Sequence, residues 1–133
     1  MSGGRAVPLT DEERRRLLEA AEEMAARALR TVAIASRSVQ LEACANIADC
    51  EQELVFLGLA GIYDPPRPEA AAAISECQKA GIQVYMVTGD HQATATAIAA
   101  ELGIPGGSMT GPELDEVTDE ELAGRLGDTS VFA

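Results

Sequence analysis

Two stretches, Gly61-Ile-Tyr-Asp-Pro-Pro-Arg-Pro68 and Met86-Val-Thr-Gly-Asp-His91, decide which fold is expected of this chain of 133 residues. The first joins an apolar run to three prolines, which fix backbone angles and remove hydrogen-bond donors, so it predicts a stiff joint. The second follows another apolar run and precedes a segment with helical spacing. A strand that ends in Thr-Gly at a helix start is typical of phosphate-handling loops.

The apolar runs around these motifs predict alternating strands and helices. Residues 54–59 form a continuous apolar run, which predicts a strand buried on both faces of a parallel sheet, and residues 82–87 predict a second such strand. One helix is expected from Pro68 to Gly81, and a second is marked by Ala95, Ile98, Ala99 and Leu102 and closed by Gly103. A further strand is expected at 130–133. This succession predicts an α/β fold with right-handed crossovers.

The two ends of the chain carry helices with recognisable starts. Thr10 and Glu13 form a capping-box pattern, and apolar residues recur at helical spacing, which predicts a helix over 11–29. Thr118 and Glu121 repeat the capping box and predict a helix to about Leu126. Two segments follow the first helix. Residues 31–35 predict a short buried strand, and residues 36–51 have no clear period and are interpreted as a connector.

Charge and hydropathy exclude several classes of partner. The net charge is -12, and residues 38–133 hold three basic and sixteen acidic side chains. Such a surface repels phosphate backbones and anionic headgroups, so neither nucleic-acid binding nor direct membrane contact is expected. No apolar run approaches the roughly 18 residues of a membrane span, and no signal peptide is indicated.

The cysteines indicate neither a metal site nor a disulfide framework. Cys44, Cys50 and Cys77 are odd in number and lack Cys-x-x-Cys spacing. Reduced thiols are therefore expected, and no metal ligands are predicted.

The order and spacing of the two motifs, with Ala80-Gly-Ile82 between them, resemble the phosphorylation domain of cation-transporting P-type ATPases. That family has Asp-Pro-Pro-Arg at a domain hinge and Thr-Gly-Asp a helix-length later. The form Thr-Gly-Asp-His favours the calcium-pump-like branch. The resemblance implies a partial Rossmann-like parallel sheet of the haloacid dehalogenase type with an N-terminal helix-strand segment. It also implies that residues 1–47 are the C-terminal edge of the nucleotide-binding domain plus a connector, and 48–133 the central part of the phosphorylation domain.

The resemblance also assigns site residues. Thr88, Gly89 and Asp90 would contact the phosphoryl group in the intact parent, and Arg30 would reach the ATP phosphates. The hinge would consist of Asp64, Pro65, Pro66 and Arg67.

Simpler interpretations of these residues exist on physical grounds. Thr88 can belong to an ordinary turn with Asp90 as the N-cap of the next helix. Arg30 can be a cation placed favourably at a helix C-terminus. Arg67 is interpreted mainly as a salt-bridge or domain-joint residue, with a solvated surface charge as the simpler alternative. His91 is interpreted as a polar residue of a helix first turn. Asp64 is rejected as a nucleophile, because an Asp beside proline lacks the backbone N–H groups that phosphoryl transfer requires.

Two motifs of the resembling family are absent from this sequence. One is Asp-Lys-Thr-Gly-Thr, which holds the phosphorylated aspartate, and the other is Gly-Asp-Gly-x-Asn-Asp, which holds magnesium. ATP and Mg²⁺ are thus expected cofactors of a parent pump, with neither bound tightly by this chain alone. The chain is expected to lie on the cytoplasmic side of a membrane-embedded parent and to be inactive by itself.

The expected partners are the remainder of the pump and the ATP phosphates. Residues 14–34 present an apolar face without the sheet that would cover it, which predicts self-association or mobility of this segment.

Two alternatives remain open: a stand-alone non-catalytic module that binds phosphate or regulates a pump, and a haloacid-dehalogenase-like phosphatase. The phosphatase is disfavoured, because no Asp-x-Asp motif follows a strand.

Overall fold

The computed structural model of the protein describes residues 6–39 and 50–133. Helices and strands alternate over most of this length. The helices are α1 (Asp11–Ala25), α2 (Ala70–Lys79), α3 (Gln92–Glu101), α4 (Gly111–Asp115) and α5 (Asp119–Arg125). The strands are β1 (Arg30–Ser36), β2 (Val55–Ile62), β3 (Met86–Val87), β4 (Gly107–Met109) and β5 (Thr129–Phe132).

The strands form two separate sheets. β1 and β2 pair antiparallel, with Arg30 opposite Ile62 and Ser36 opposite Val55, and the register shifts between Ile34 and Ala35. The expectation that 54–59 forms a doubly buried strand of a parallel sheet is therefore wrong. So is the expected burial of 31–35, because β1 is mostly exposed. An uninterrupted apolar run does not specify its partner strand, and here β2 pairs with β1.

The parallel sheet has the order β3-β5-β4. Its first strand covers only Met86–Val87, which corrects the expectation of a strand over 82–87. Gln83 and Tyr85 precede β3 and lie outside the strand. Their side chains contact the end of α5, because the Gln83 amide and the Tyr85 hydroxyl both donate to the Leu126 carbonyl. The small parallel sheet with helices is compatible with a partial Rossmann-like fold.

The buried core lies between α3 and the parallel sheet. It consists of small and medium side chains, with partly buried neighbours from α2, β3 and the chain end around them. The buried members are Ala95, Ala99, Ile104 and Val131, and the neighbours include Ile74, Val84, Met86, Leu102 and Ala133. This core supports β3 and α3, the two elements that flank the Thr-Gly-Asp turn.

Helix ends follow local sequence rules closely. The capping boxes of Thr10 and Thr118 are present as predicted, and a third, at Thr110, was not predicted. The glycines at the ends of α2 and α3, Gly81 and Gly103, have the left-handed φ values of 74° and 72° that such ends favour. The expected helix over 11–29 ends four residues earlier, because Ala28 takes φ 58° and turns the chain back.

The N-terminal helix packs against its own chain. α1 contacts β1 and α3, and its end approaches β2 at Gly61, where a Cβ would lie only 2.6 Å from the Met24 methyl. This is the arrangement expected of a self-contained unit, although Leu18, Val32 and Ile34 remain exposed. Self-association through 14–34 therefore stays a prediction.

The described cysteines differ in state. Cys50 is disulfide-bonded, which corrects the expectation of reduced thiols, whereas Cys77 is free. Cys44, most of the expected connector and the expected domain boundary at 47/48 lie outside the described residues. No helix within 6–39 or 50–133 combines the length and apolar character that crossing a bilayer requires.

Candidate functional site

The Thr88 side chain is held at the carboxyl edge of the parallel sheet. Its backbone N–H donates to the Phe132 carbonyl at 2.9 Å, which ties the end of β3 to β5. The Thr88 hydroxyl accepts from the Asp90 N–H at 3.1 Å and donates to Asp90 Oδ2 at 3.3 Å. The hydroxyl is half-buried and fixed within a tight turn, rather than freely rotating.

The helix that follows begins without a capping side chain. The N-cap of α3 is His91, whose side chain makes no capping hydrogen bond. The alternative in which Asp90 caps this helix is therefore wrong. The N–H groups in the first turn of such a helix carry partial positive charge and can donate hydrogen bonds to an anion. Gly89 is exposed and nothing lies within 4 Å of where its Cβ would be, so a ligand can approach the backbone here.

Arg30 lies beside the same turn. Its Nε is 3.7 Å from Asp90 Oδ1. The interpretation of Arg30 as a helix-terminal cation is wrong, because α1 ends at Ala25 and Arg30 begins β1. Its side chain is 72% exposed, so this ion pair contributes little to stability. A guanidinium that is only weakly bound to Asp90 can turn towards an anionic ligand.

Two clefts meet at Arg30 and Asp90. The first, of about 560 Å³, lies between α1, one face of the β1-β2 pair and the Thr-Gly-Asp turn. The second, of about 480 Å³, lies beside Ile62, Tyr63 and Asp64. Arg30, Asp90 and Thr94 line both. The first cleft is otherwise mostly apolar, with Leu17, Leu18, Ala21, Ala25, Phe56 and Leu59 among its lining residues.

The Asp-Pro-Pro-Arg segment connects β2 to α2 without regular secondary structure. Asp64 lines the second cleft with Arg30 and Asp90, so the structure brings the start of the Asp-Pro-Pro-Arg segment close to the Thr-Gly-Asp turn. Pro65 is exposed and Pro66 is half-buried. Arg67 is exposed and forms no ion pair with any described residue, so the preferred interpretation as a salt-bridge partner finds no contact here, whereas the alternative of a solvated charge fits.

His91 lies at the mouth of the first cleft. Its Nε2 is 3.8 Å from Glu22 Oε1, and both side chains are exposed. His91 is the N-cap of α3 and so lies just before the first turn in which it was predicted. Metal binding has no support in the part of the chain that the structure describes, where no three His, Cys, Asp or Glu side chains form a cluster.

Sequence reasoning missed Tyr63 and Glu101. The Tyr63 hydroxyl donates to Glu101 Oε2 at 3.2 Å and so links the residue before the Asp-Pro-Pro-Arg segment to the last residue of α3. Desolvation, followed by the hydrogen bond and the charge of Glu101, raises the pKa of Tyr63 above its usual value. Neither residue belongs to a motif, and only their position in the fold brings them together.

Comparisons with known proteins show the family of the chain. A family described as "P-type ATPase, cytoplasmic domain N" matches residues 1–69, more than half of the chain. Calcium-transporting ATPase 1 of Bacillus cereus is 42% identical over 136 residues, covering 100% of this chain and 15% of the relative. Calcium-transporting ATPase of Bacillus subtilis is 45% identical over 83% of this chain and 13% of its own length.

A cyanobacterial relative gives the same result. Cation-transporting ATPase pma1 of Synechocystis is 44% identical over 91% of this chain and 14% of the relative. The chain thus spans about one seventh of the length of these curated relatives. It belongs to the P-type ATPase family.

Proposed function

We propose that this member of the P-type ATPase family serves as cytoplasmic parts of an ATP-driven calcium pump. In this proposal, Asp64, Pro65, Pro66 and Arg67 form the hinge, and Thr88, Gly89 and Asp90 form a loop that contacts the phosphoryl group. Arg30 reaches the ATP phosphates from the other side of the cleft. Calcium as the cargo is supported by the names of the relatives from Bacillus cereus and Bacillus subtilis.

The observation that carries the proposal is the arrangement of the Thr88 turn. A fixed hydroxyl, an open glycine and an uncapped helix N-terminus lie next to one another at the carboxyl edge of a parallel sheet. The helix start and the exposed backbone at Gly89 offer partial positive charge to one small anion. The Thr88 hydroxyl donates its single proton to Asp90 Oδ2 here and would have to turn it towards the anion. Ligands of open α/β sheets bind at this edge. A phosphoryl group therefore fits the site in charge, size and donor chemistry.

The described residues do not supply a complete magnesium site. Mg²⁺ prefers several oxygen ligands in octahedral geometry, and Asp90 is the one carboxylate in the Thr-Gly-Asp turn. No acidic cluster accompanies it in residues 6–39 and 50–133. The chain by itself is thus proposed to be non-catalytic, and ATP and Mg²⁺ act in the complete pump together with its other segments.

The proposed division of the chain keeps 1–47 with the nucleotide-binding domain and 48–133 with a phosphorylation domain of the haloacid dehalogenase type. β1 and β2 come from either side of this boundary and share one sheet. The pairing means that the proposed boundary at 47/48 is bridged by hydrogen-bonded strands, upstream of the proposed hinge at Asp64, Pro65, Pro66 and Arg67. The remainder of the pump is the proposed partner.

The proposal is tested in the full-length pump that carries this segment. Thr88→Ala removes the hydroxyl, and we expect phosphoenzyme turnover to fall roughly tenfold or more, as for loss of one transition-state contact. Thr88→Ser keeps the hydroxyl and is the matched control, with turnover close to that of the wild type. Equal, unimpaired turnover in both variants would show that Thr88 only shapes a turn.

A second candidate is a stand-alone module that binds phosphate or regulates a pump. It is favoured by one observation, the packing of α1 onto its own chain. Amide hydrogen exchange of the 133-residue chain separates the two. Protection of residues 14–34 equal to that of β3, in a strictly monomeric chain, would support the module. Weak protection of 14–34 would support a part of a larger domain.

A further inference from the structure

We propose that the hydrogen bond from Tyr63 to Glu101 is a latch that holds the first unit of the chain against the second. The first unit comprises α1, β1 and β2, and the second comprises α2 to β5. The hydroxyl lies directly before the Asp-Pro-Pro-Arg segment, and the carboxylate ends α3. The latch therefore joins the two units beside the point where the chain passes from one to the other.

The contact between the units is narrow. Ala25 lines the first cleft and Ala28 the second, while Thr94 of α3 lines both. All three are small and buried. Close packing through a few small side chains, with a cleft on each side, gives a contact about which the units can rock. The groups beside it then determine the angle between the units.

Three polar contacts surround this narrow region, and one of them is a hydrogen bond. Arg30 approaches Asp90 at 3.7 Å and His91 approaches Glu22 at 3.8 Å, distances too long for direct hydrogen bonds. Tyr63 and Glu101 are 3.2 Å apart. Within the described ranges, theirs is the side-chain hydrogen bond that joins the two units.

The latch has a defined location relative to the clefts. Tyr63 lines the second cleft together with Ile62 and Asp64, so its bond to α3 holds that side together. Loss of the bond frees β2 to move away from Glu101 while the small-residue contact remains. The use of this motion as hinge control rests on the proposed function, whereas the latch itself is a property of this chain.

The experiment measures amide hydrogen exchange of the 133-residue chain. Tyr63→Phe and Glu101→Ala are each expected to speed exchange of the amides in α1, β1 and β2 about threefold, the size of effect that one partly exposed hydrogen bond produces. The double variant should exchange no faster than either single variant. Glu101→Gln keeps an acceptor and should show a smaller effect.

Tyr85→Phe is the matched control. It removes the same hydroxyl from a tyrosine that donates to Leu126 within the second unit, so exchange in α1, β1 and β2 should not change. Used as a background, it also leaves Tyr63 as the only tyrosine for titration by ultraviolet absorbance. Glu101→Ala in that background should lower the pKa of Tyr63 towards its ordinary value.

Several outcomes would overturn the latch. These are unchanged exchange in both Tyr63→Phe and Glu101→Ala, equal acceleration in Tyr85→Phe, and additive effects in the double variant. The result is independent of the Thr88 test, because no phosphate, nucleotide or pump activity is measured. Failure of the latch would leave the proposed phosphate contact untouched, and failure of that contact would leave the latch untouched.

Discussion

The Nε atom of Arg30 lies 3.7 Å from Oδ1 of Asp90, which joins the first residue of β1 to the turn that follows β3. This pair places one positive and one negative group at the same proposed anion site. Asp90 orients the Thr88 hydroxyl and at the same time repels a phosphate, whereas Arg30 attracts it. The net affinity of the chain for an anion is thus set by a balance between these two side chains.

The balance predicts opposite effects for two substitutions. Asp90→Asn keeps the shape of the side chain but removes its charge, so binding of inorganic phosphate should strengthen. Arg30→Ala should weaken it. A unit charge about 4 Å away in water is worth about 1 kcal/mol, so each change should be roughly two- to fivefold. Amide chemical shifts of Gly89 and α3, followed during phosphate titration at low salt, give the affinity.

Arg67→Ala is the control for these two variants. It removes the same charge as Arg30→Ala from an exposed arginine that lines neither cleft. Arg67→Ala should lower the phosphate affinity by less than Arg30→Ala does. Salt screens charges that lie far from the bound phosphate more than charges beside it, so the difference between the two variants should grow as salt is raised. Equal losses in the two arginine variants would contradict a local role for Arg30.

Local signals in the sequence predicted the ends of helices well. They predicted poorly which strands pair with one another. The capping boxes at Thr10 and Thr118 and the terminal glycines Gly81 and Gly103 act within one turn of chain, so their residues suffice to predict them. Strand pairing depends on which segments meet. The apolar run that forms β2 carried no information that β1 would be its antiparallel partner, and the predicted burial was accordingly wrong.

The same distinction applies to the candidate site. Thr88 and Gly89 were predicted from a motif that combines a strand end with a helix start, and the structure places them there. That Asp90 faces Arg30, and that Asp64 shares a cleft with both, depends on the packing of two units. Tyr63 and Glu101 lack any local signal. A residue outside a motif becomes recognisable only once its distant neighbour is known.

Acid sensitivity should follow from the three capping boxes. Backbone hydrogen bonds from Thr10, Thr110 and Thr118, and then their hydroxyls, lower the pKa values of Glu13, Glu113 and Glu121 below 4.5. A carboxylate whose pKa is lower in the folded state stabilises the fold above the unfolded value. That stabilisation is lost as pH falls through the folded value. Stability should therefore decline from about pH 5 downwards.

Thr118→Ala isolates one box. Loss of an N-cap hydroxyl costs about 1 kcal/mol near neutral pH, and the deficit should shrink in acid as Glu121 becomes protonated. Thr96→Ala is the control, since Thr96 is exposed in the middle of α3, where alanine is the better helix former. Urea unfolding between pH 3 and pH 7 measures both. A Thr118→Ala deficit that does not depend on pH would exclude the carboxylate contribution.

The isolated chain should form no phosphoenzyme. Phosphoryl transfer depends on positioning and on the charge of metal and cationic groups, and the sequence has neither Asp-Lys-Thr-Gly-Thr nor Gly-Asp-Gly-x-Asn-Asp. Incubation with radioactive ATP or acetyl phosphate, followed by acid precipitation, should leave the chain unlabelled, with a complete pump as the positive control. Acid-stable labelling of an aspartate would falsify this expectation.

Exposed apolar side chains on β1 should promote association of the isolated chain. Val32 and Ile34 are 44% and 47% exposed and lie two residues apart on one strand. Strands with uncovered apolar faces and free edges pair readily with other copies. We expect light scattering to show a mass that rises with concentration, and Val32→Thr to reduce that rise. Val87→Thr, at an exposed position in the other sheet, should reduce it less.

Two glycines provide a final test of the packing around β5. Gly106 has φ 116°, and a Cβ there would lie 2.8 Å from Ser130 Oγ and 3.1 Å from the Asp128 carbonyl. Gly106→Ala must therefore strain the backbone and push β5 away from β4, at a cost of about 2 kcal/mol or more. Gly124 lies inside α5 with open space around it, so Gly124→Ala should stabilise the protein by about 0.5 kcal/mol. Thermal unfolding followed by circular dichroism measures the change in stability of each variant. A less stable Gly124→Ala variant, or a Gly106→Ala variant as stable as the wild type, would contradict the described packing.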